Sequence, residues 1–216
     1  MARNLKQKAI EAIHQQGILL VYPIDNRPAP PSIWSELYPR TKMRWEWDDN
    51  GDSRVADLWH LREILSKSKE VVYAKWYQNR ATFFSPPVFQ ALYKKTRARR
   101  PVRWRAESDE ILEILQMDSP LSTKQIKLAV NLQGKLLESI YEKSMRPLWQ
   151  HFDIVGFGEI QDSSFPSLAV GATSTLFEDL VLDSKQLSTK QSEKIFASFL
   201  PEGSLWRKFW NRCYPS

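Results

Sequence analysis

The chain contains 216 residues, of which 42% are hydrophobic and 26% are charged, and its net charge is +6. This composition favours a packed protein of one or two domains and argues against a disordered chain. The sequence has neither a membrane-length apolar run nor a signal-peptide core, and its single cysteine, Cys213, excludes an internal disulfide and a cysteine-built zinc site, so we expect a cytoplasmic protein without cofactor or metal.

The first predicted elements are helices around one buried strand. Helical periodicity predicts a helix over residues 5–15, and Gly17 ends it. The continuous apolar run over residues 18–22 predicts a buried strand. Ser32 is expected to cap a short helix over residues 33–37, and Asp52 or Ser53 a longer helix over residues 55–65. Asp48 and Asp49, in the loop before the helix over residues 55–65, are interpreted as structural residues and not as metal ligands.

A hairpin and a basic stretch follow. Residues 70–77 and 81–84 are rich in β-branched and aromatic residues, and Gln78-Asn79-Arg80 predicts a short turn between them. Ser85 and the two prolines after it predict another helix over residues 88–93. Residues 94–105 then contain seven basic residues and no acidic one, which indicates a basic linker between two domains.

The segment from 107 to 180 shows the order helix, helix, helix, two-stranded wing. Helical patterns occupy residues 109–115, 124–130 and 136–148, with Ser122 or Thr123 as the cap of the second helix. Two short β-like runs follow at 153–158 and 167–170. This order is typical of a winged helix-turn-helix, whose third helix commonly enters a DNA groove.

These patterns predict an α+β protein built from tandem winged-helix-like modules with small antiparallel hairpins. The expected organisation is an N-terminal winged-helix-like module (1–95), a basic linker (96–106), a winged helix-turn-helix (107–183) and a C-terminal helical packing segment (184–216). In the last segment, Ser188 or Thr189 is expected to cap one helix, and residues 205–210 form a short aromatic helix.

Several motifs suggest a family. They are residues 17–26 (GILLVYPIDN) with Pro31-Ser32-Ile33-Trp34 soon after, Trp45-x-Trp47-Asp48, Tyr73-Ala74-Lys75, Thr82-Phe83-Phe84-Ser85 after the Arg80 turn, and Val155-Gly156-Phe157-Gly158-Glu159. Over about residues 5–180 the chain resembles the AlkZ-related winged-helix proteins. The resemblance implies tandem winged-helix architecture and kinship with bacterial DNA glycosylases that act on alkylated or cross-linked bases in DNA repair.

The catalytic triplet of those glycosylases has no clear counterpart here. The family places a Gln-x-Gln, Gln-x-Asp or His-x-Gln triplet near this strand, whereas the strand of this chain holds Leu19, Leu20 and Val21, which cannot polarise water. His14 and Gln16 match the letters but fall at the end of the first helix. His14, Gln16, Glu46 and Asp48 are candidates for catalysis, but each is weak. We therefore expect a non-catalytic relative.

The charge distribution indicates an anionic partner. Residues 1–105 hold 20 Lys or Arg against 10 Asp or Glu, and the remainder holds 11 against 15. Double-stranded DNA is the expected partner. Trp104, which lies between two arginines, could stack on a base. The candidate DNA-binding residues are the hairpin-turn residue Arg80, the basic stretch Lys94, Lys95, Arg97, Arg99, Arg100, Arg103 and Arg105, and, around the third helix of the winged segment, Lys135, Lys143 and Arg146.

Two alternatives remain open from the sequence. One is an active DNA glycosylase of base-excision repair that draws its acid from Glu46, Asp48 or the His14–Gln16 triplet. The other is a non-enzymatic protein-interaction scaffold in which Trp206, Phe209 and Trp210 form an exposed docking patch for a protein partner.

Overall fold

The computed structural model describes residues 2–44, 52–99, 104–162 and 164–215. In the first half its elements are α1 (Ala2–Gln16), β1 (Ile18–Leu20), α2 (Ile33–Leu37), α3 (Ser53–Lys67), β2 (Val72–Ala74), a 3-10 turn (Tyr77–Asn79), β3 (Thr82–Phe84) and α4 (Pro86–Arg97). The second half contains α5 (Ala106–Met117), β4 (Leu121–Ser122), α6 (Thr123–Ala129), α7 (Glu138–Gln150), β5 (Ile154–Ile160) and β6 (Ser167–Ala172). The last helices are α8 (Thr173–Leu176), α9 (Glu178–Gln186), α10 (Thr189–Phe199) and α11 (Leu205–Cys213).

The six strands form one antiparallel sheet in the order β1-β3-β2-β5-β6-β4. Each half contributes three strands and follows the order helix, strand, helix, helix, strand, strand. The halves meet where Tyr73 of β2 pairs with Gly156 of β5. A Cβ at Gly156 would overlap the Tyr73 ring, so only glycine allows this approach of the two strands. The α+β class is confirmed. One sheet runs through both halves, and the division into separate domains at 96–106 stays a prediction.

Local side-chain caps begin several helices as the sequence predicts. Ser122 and Gln125 form a capping box at α6, and Ser188 and Gln191 form another at α10. Asp52 caps α3 by accepting from the backbone N–H of Arg54 at 3.1 Å. Each cap satisfies a backbone donor that the helix leaves without an internal partner.

Both faces of the first three strands are buried. Ile18 and Leu20 of β1 face one core cluster, whereas Leu19 between them faces a second cluster formed with α1 and α3. The alternation follows from the two-residue period of a strand. It explains why the sequence shows a continuous apolar run there, without the alternation of a half-exposed strand.

The C-terminal helix α11 packs into the core. Trp206, Phe209 and Trp210 are only 6%, 4% and 2% exposed. The ring centroids of Trp76 and Phe209 lie 4.9 Å apart, and those of Tyr77 and Trp206 lie 4.8 Å apart. The sequence-based alternative of an exposed docking patch at these three residues is therefore wrong: their apolar surface already serves to cover the β2–β3 turn.

Two further regions differ from expectation. Helix α4 continues to Arg97, so the first part of the basic stretch is helical and not a linker. Helices α8 and α9 after β6 were not recognised from the sequence because they are short and carry no strong apolar stripe. Within the described ranges, a helix with the length and apolar character that a bilayer crossing needs does not occur.

Candidate nucleic-acid interface

A groove of about 990 Å³ lies where the two halves and the C-terminal helix meet. Its walls come from the β2–β3 turn, the start of α5, helix α7 and helix α11. Its lining residues are Gln78, Asn79, Trp104, Arg105, Lys143, Arg146, Pro147, Gln150, Phe209, Arg212 and Cys213. The groove therefore combines positions that are more than 130 residues apart in the chain.

The β2–β3 turn delivers two amide side chains to the groove. Gln78 and Asn79 both adopt positive φ angles, 53° and 61°, which reverse the chain within the 3-10 turn. The backbone N–H of Arg80 donates to the carbonyl of Tyr77 at 2.9 Å and closes the turn. Both amides are exposed at the tip as a result. The predicted turn at this position is confirmed.

Four cations line the groove: Arg105 at the N-cap of α5, Lys143 and Arg146 of α7, and Arg212 of α11. All four side chains are exposed, and none forms an ion pair with another described residue. The described residues that line the groove include no carboxylate. Unpaired charges of one sign in a concave site focus a positive potential, which attracts an anionic polymer.

Arg80 lies close to the same region although it does not line the groove. Burial raises the pKa of the Tyr77 hydroxyl, and the positive charges of Arg212 and Arg80 both oppose this rise. Tyr77 packs against Phe209 with a ring distance of 4.8 Å, and the guanidinium of Arg212 lies 5.1 Å from the same Phe209 ring. Arg80 extends the positive surface beyond the groove.

Trp104 is held in a defined orientation at the groove wall. Its indole Nε1 donates to Oδ1 of Asp109 at 2.6 Å. Its ring meets that of His151 at a centroid distance of 6.3 Å and an angle of 73°. These two contacts restrain the ring while part of it remains exposed to the groove.

Three of the other predicted cations, Lys95, Arg97 and Arg99, have structural contacts. Lys95 forms an ion pair with Glu193. Arg97 donates to Asp153 at 2.5 Å and to Nδ1 of His151 at 2.8 Å, if His151 is the neutral Nε2-protonated tautomer. Arg99 donates to the carbonyl oxygen of Tyr214 at 2.6 Å. Lys94 is half-buried on α4 and Lys135 is exposed before α7, and neither lines the groove. Arg100 and Arg103 lie outside the described residues.

The two catalytic candidates that the structure describes, His14 and Gln16, each contact a residue outside the groove. Nε2 of His14 lies 3.1 Å from the carbonyl oxygen of Glu70, and Gln16 donates to Glu36 at 3.4 Å. Neither residue lines the groove. Glu46 and Asp48 lie outside the described residues. Among the described residues, no cluster of three or more His, Cys, Asp or Glu side chains could hold a metal ion.

Sequence reasoning missed part of the groove. Gln78 and Asn79 were recognised only as turn residues, and Arg212 was overlooked in a helix interpreted as a packing element. Arg212 lies three residues after the buried Phe209, and this spacing could have indicated that it borders the same surface.

Comparison with known proteins supports one family. The family model described as AlkZ related matches residues 4–203. No curated protein and no solved structure matches the chain.

Proposed function

The chain belongs to the AlkZ-related family, and from this membership and its cationic groove we propose that it binds DNA, as a non-catalytic relative of DNA repair glycosylases. Duplex DNA is the partner that the sequence predicts. The cytoplasmic location stays a prediction as well.

The convergence of unpaired cations carries the proposal. Arg105, Lys143, Arg146 and Arg212 come from three separate helical regions, yet they line one groove without a neighbouring carboxylate among the described lining residues. Ion pairs would have neutralised them, as Glu193 neutralises Lys95. Because binding to phosphates releases condensed counterions, DNA affinity is expected to fall steeply with salt.

The proposal includes tandem winged-helix architecture. The order helix, strand, helix, helix, strand, strand in both halves supports it, as does the pairing of the first strand of each half with the third: β1 with β3, and β4 with β6. In three-helix variants of the helix-turn-helix the third helix reads the DNA groove. Helix α7 has this position in the second half, and its Lys143 and Arg146 line the cationic groove.

A non-catalytic role is supported by the chemistry of the lining residues. A glycosylase requires groups that position water and stabilise a developing sugar cation. The described groove offers arginine, lysine, amide and aromatic side chains, of which the cations would oppose a positive transition state. His14 and Gln16 contact residues of α2 and the α3–β2 loop.

The binding test is fluorescence anisotropy with labelled duplex DNA at salt concentrations from about 50 to 200 mM. Arg146→Glu and Arg212→Glu should each weaken binding at least about 10-fold, because each reverses a phosphate contact. Lys208→Glu is the matched control, since Lys208 is an exposed residue of α11 that does not line the groove. Equal losses in the control, or no binding by the wild type at low salt, would contradict the proposal.

The catalytic test uses duplex DNA that contains methylated bases, followed by alkaline cleavage of abasic sites. We expect no strand breaks above those of DNA incubated alone. Time-dependent base release that His14→Ala or Glu46→Ala abolishes would establish the glycosylase alternative.

A further inference from the structure

We propose that the groove holds an unpaired strand of DNA, with one base stacked on Trp104 and the neighbouring phosphates on Arg105, Arg146 and Arg212. This inference rests on the proposed DNA binding and specifies which form of DNA the groove accepts. The shape of the groove, the restrained indole ring of Trp104 and the amide side chains each favour an unpaired strand.

The shape of the groove favours a single strand. Its volume of about 990 Å³ lies at the upper end of the range typical of sites that enclose small ligands, which is roughly 300–1,000 Å³. Such a site encloses a few nucleotides, whereas a base-paired helix can only lie across its mouth. The cations come from the N-cap of α5, from α7 and from α11 and line the groove together, so that a flexible strand can reach them with successive phosphates.

Trp104 supplies a stacking surface for a base. The hydrogen bond to Asp109 and the edge contact with His151 fix the indole before a ligand arrives, which lowers the entropy lost on binding. Within a duplex both faces of each base are covered by its neighbours. Only an unpaired base can place a face on the indole, and such stacking is tolerant of sequence.

The amide side chains of the groove offer hydrogen bonds to an unpaired base. The side chains of Gln78, Asn79 and Gln150 line the groove and make no hydrogen bond with another described side chain or backbone group. An amide offers donors and an acceptor together. The Watson–Crick edge of a base has the same combination, and this edge becomes available only when the base is unpaired.

The test compares three labelled probes by anisotropy at one salt concentration: a single strand of about 16 nucleotides, the fully paired duplex of the same sequence, and that duplex with a short internal bulge. The wild type is expected to bind the single strand and the bulged duplex about 10-fold more tightly than the paired duplex. Trp104→Ala should weaken binding to the single strand roughly 10- to 100-fold and binding to the paired duplex less than about 3-fold.

Two control variants separate stacking from folding. Trp104→Phe keeps an aromatic face and should retain the preference for the single strand. Trp59→Ala removes a tryptophan of α3 that is 43% exposed and does not line the groove, and the affinity for each of the three probes should stay within about 2-fold of the wild type. Thermal unfolding of each variant shows whether the fold is intact, and Trp104→Phe tests the proposal even if Trp104→Ala unfolds.

The outcomes distinguish this inference from the proposed function. If Trp104→Ala weakens all probes equally or not at all, or if Trp104→Phe loses the preference, the stacking role is wrong. If the wild type shows no preference while Arg146→Glu still removes duplex binding, the inference fails and the proposed DNA binding stands. If no probe binds at low salt, both fail.

Discussion

The two halves of the protein share an order of elements but use their third helices differently. Helix α3 of the first half is covered by β5 of the second: Arg62 forms a buried ion pair with Glu159, and the hydroxyl of Ser66 accepts from the backbone N–H of Gly158 at 2.8 Å. Helix α7 of the second half instead presents Lys143 and Arg146 to a groove. The third helix of the first half thus joins the two halves, whereas the third helix of the second half, we propose, binds the ligand.

The segments that follow these two helices also differ. The β2–β3 turn is tight and places Gln78 and Asn79 at the groove. Strand β5 is seven residues long, with an irregularity between Gly156 and Glu159 that brings it against α3. A β-bulge bends a strand and redirects its side chains. Directly after this register shift, Glu159 lies opposite Arg62 in the buried ion pair.

The largest expected effect concerns the covered helix. Glu159→Ala should lower the free energy of unfolding by about 3 kcal/mol, because it leaves the charge of Arg62 buried without its partner. Urea denaturation measures this change. The double variant Arg62→Met/Glu159→Met, which removes both charges, should be clearly more stable than the single one. If Glu159→Ala has the stability of the wild type, α3 is not held by this ion pair.

The next prediction contrasts the two third helices directly. Lys143→Ala should weaken DNA binding about 3- to 10-fold and reduce the salt slope by about one, whereas Lys67→Ala of α3 should leave affinity within about 2-fold. Lys67 pairs with Glu63 at 2.6 Å and lies against Gly158, so its charge is already compensated. Anisotropy titrations at several salt concentrations give both values. Similar losses in the two variants would show that both third helices contact DNA.

A smaller effect is expected from the residue that orients Trp104. Asp109→Ala removes the acceptor of the indole Nε1 and should weaken single-strand binding a few-fold, about 2- to 5-fold. Asp109→Asn is the matched control because it removes the charge but keeps a carbonyl acceptor, and it should bind at least as tightly as the wild type. Anisotropy with the single strand decides between them, and equal affinity of the two variants would exclude an orienting role.

The smallest effect is expected at Asp162, between β5 and β6. Hydrogen bonds from Ser122 and Ser167 hold the pKa of Asp162 below its usual value of 3.8. The carboxylate is thus favoured in the folded state. Its contribution to stability is present at neutral pH and is lost as the pH falls below 3.8 towards the lowered pKa.

Asp162→Asn should therefore lower Tm slightly at pH 7 and leave it unchanged near pH 2. Thermal unfolding at both pH values measures this. If the Tm of the variant differs from that of the wild type by the same amount at both pH values, the ionisation of Asp162 does not contribute to stability. No change in DNA binding is expected, since Asp162 does not line the groove.

Much of the local structure could be predicted from the sequence because its signals act over a few residues. The caps at Ser32, Asp52, Ser122 and Ser188 depend on hydrogen bonds to backbone groups two or three positions away. The hairpin turn at Gln78-Asn79 has the same short range. The helices at 173–176 and 178–186 were missed, since their stabilisation comes from packing against other elements and not from their own pattern.

The sequence by itself determined the α+β class, most of the helices, the β2–β3 hairpin, the caps and the excess of positive charge. Only the tertiary structure decided which cations lack an ion pair: Arg97 is held by Asp153, which lies 56 positions away, whereas Arg105, Arg146 and Arg212 line one groove and form no ion pair with another described residue. It also decided that the aromatic side chains of α11 are buried. The physical reason is that apolar packing has no direction and no fixed range along the chain, so the pairing of β2 with β5 and the docking of α11 follow from the whole core.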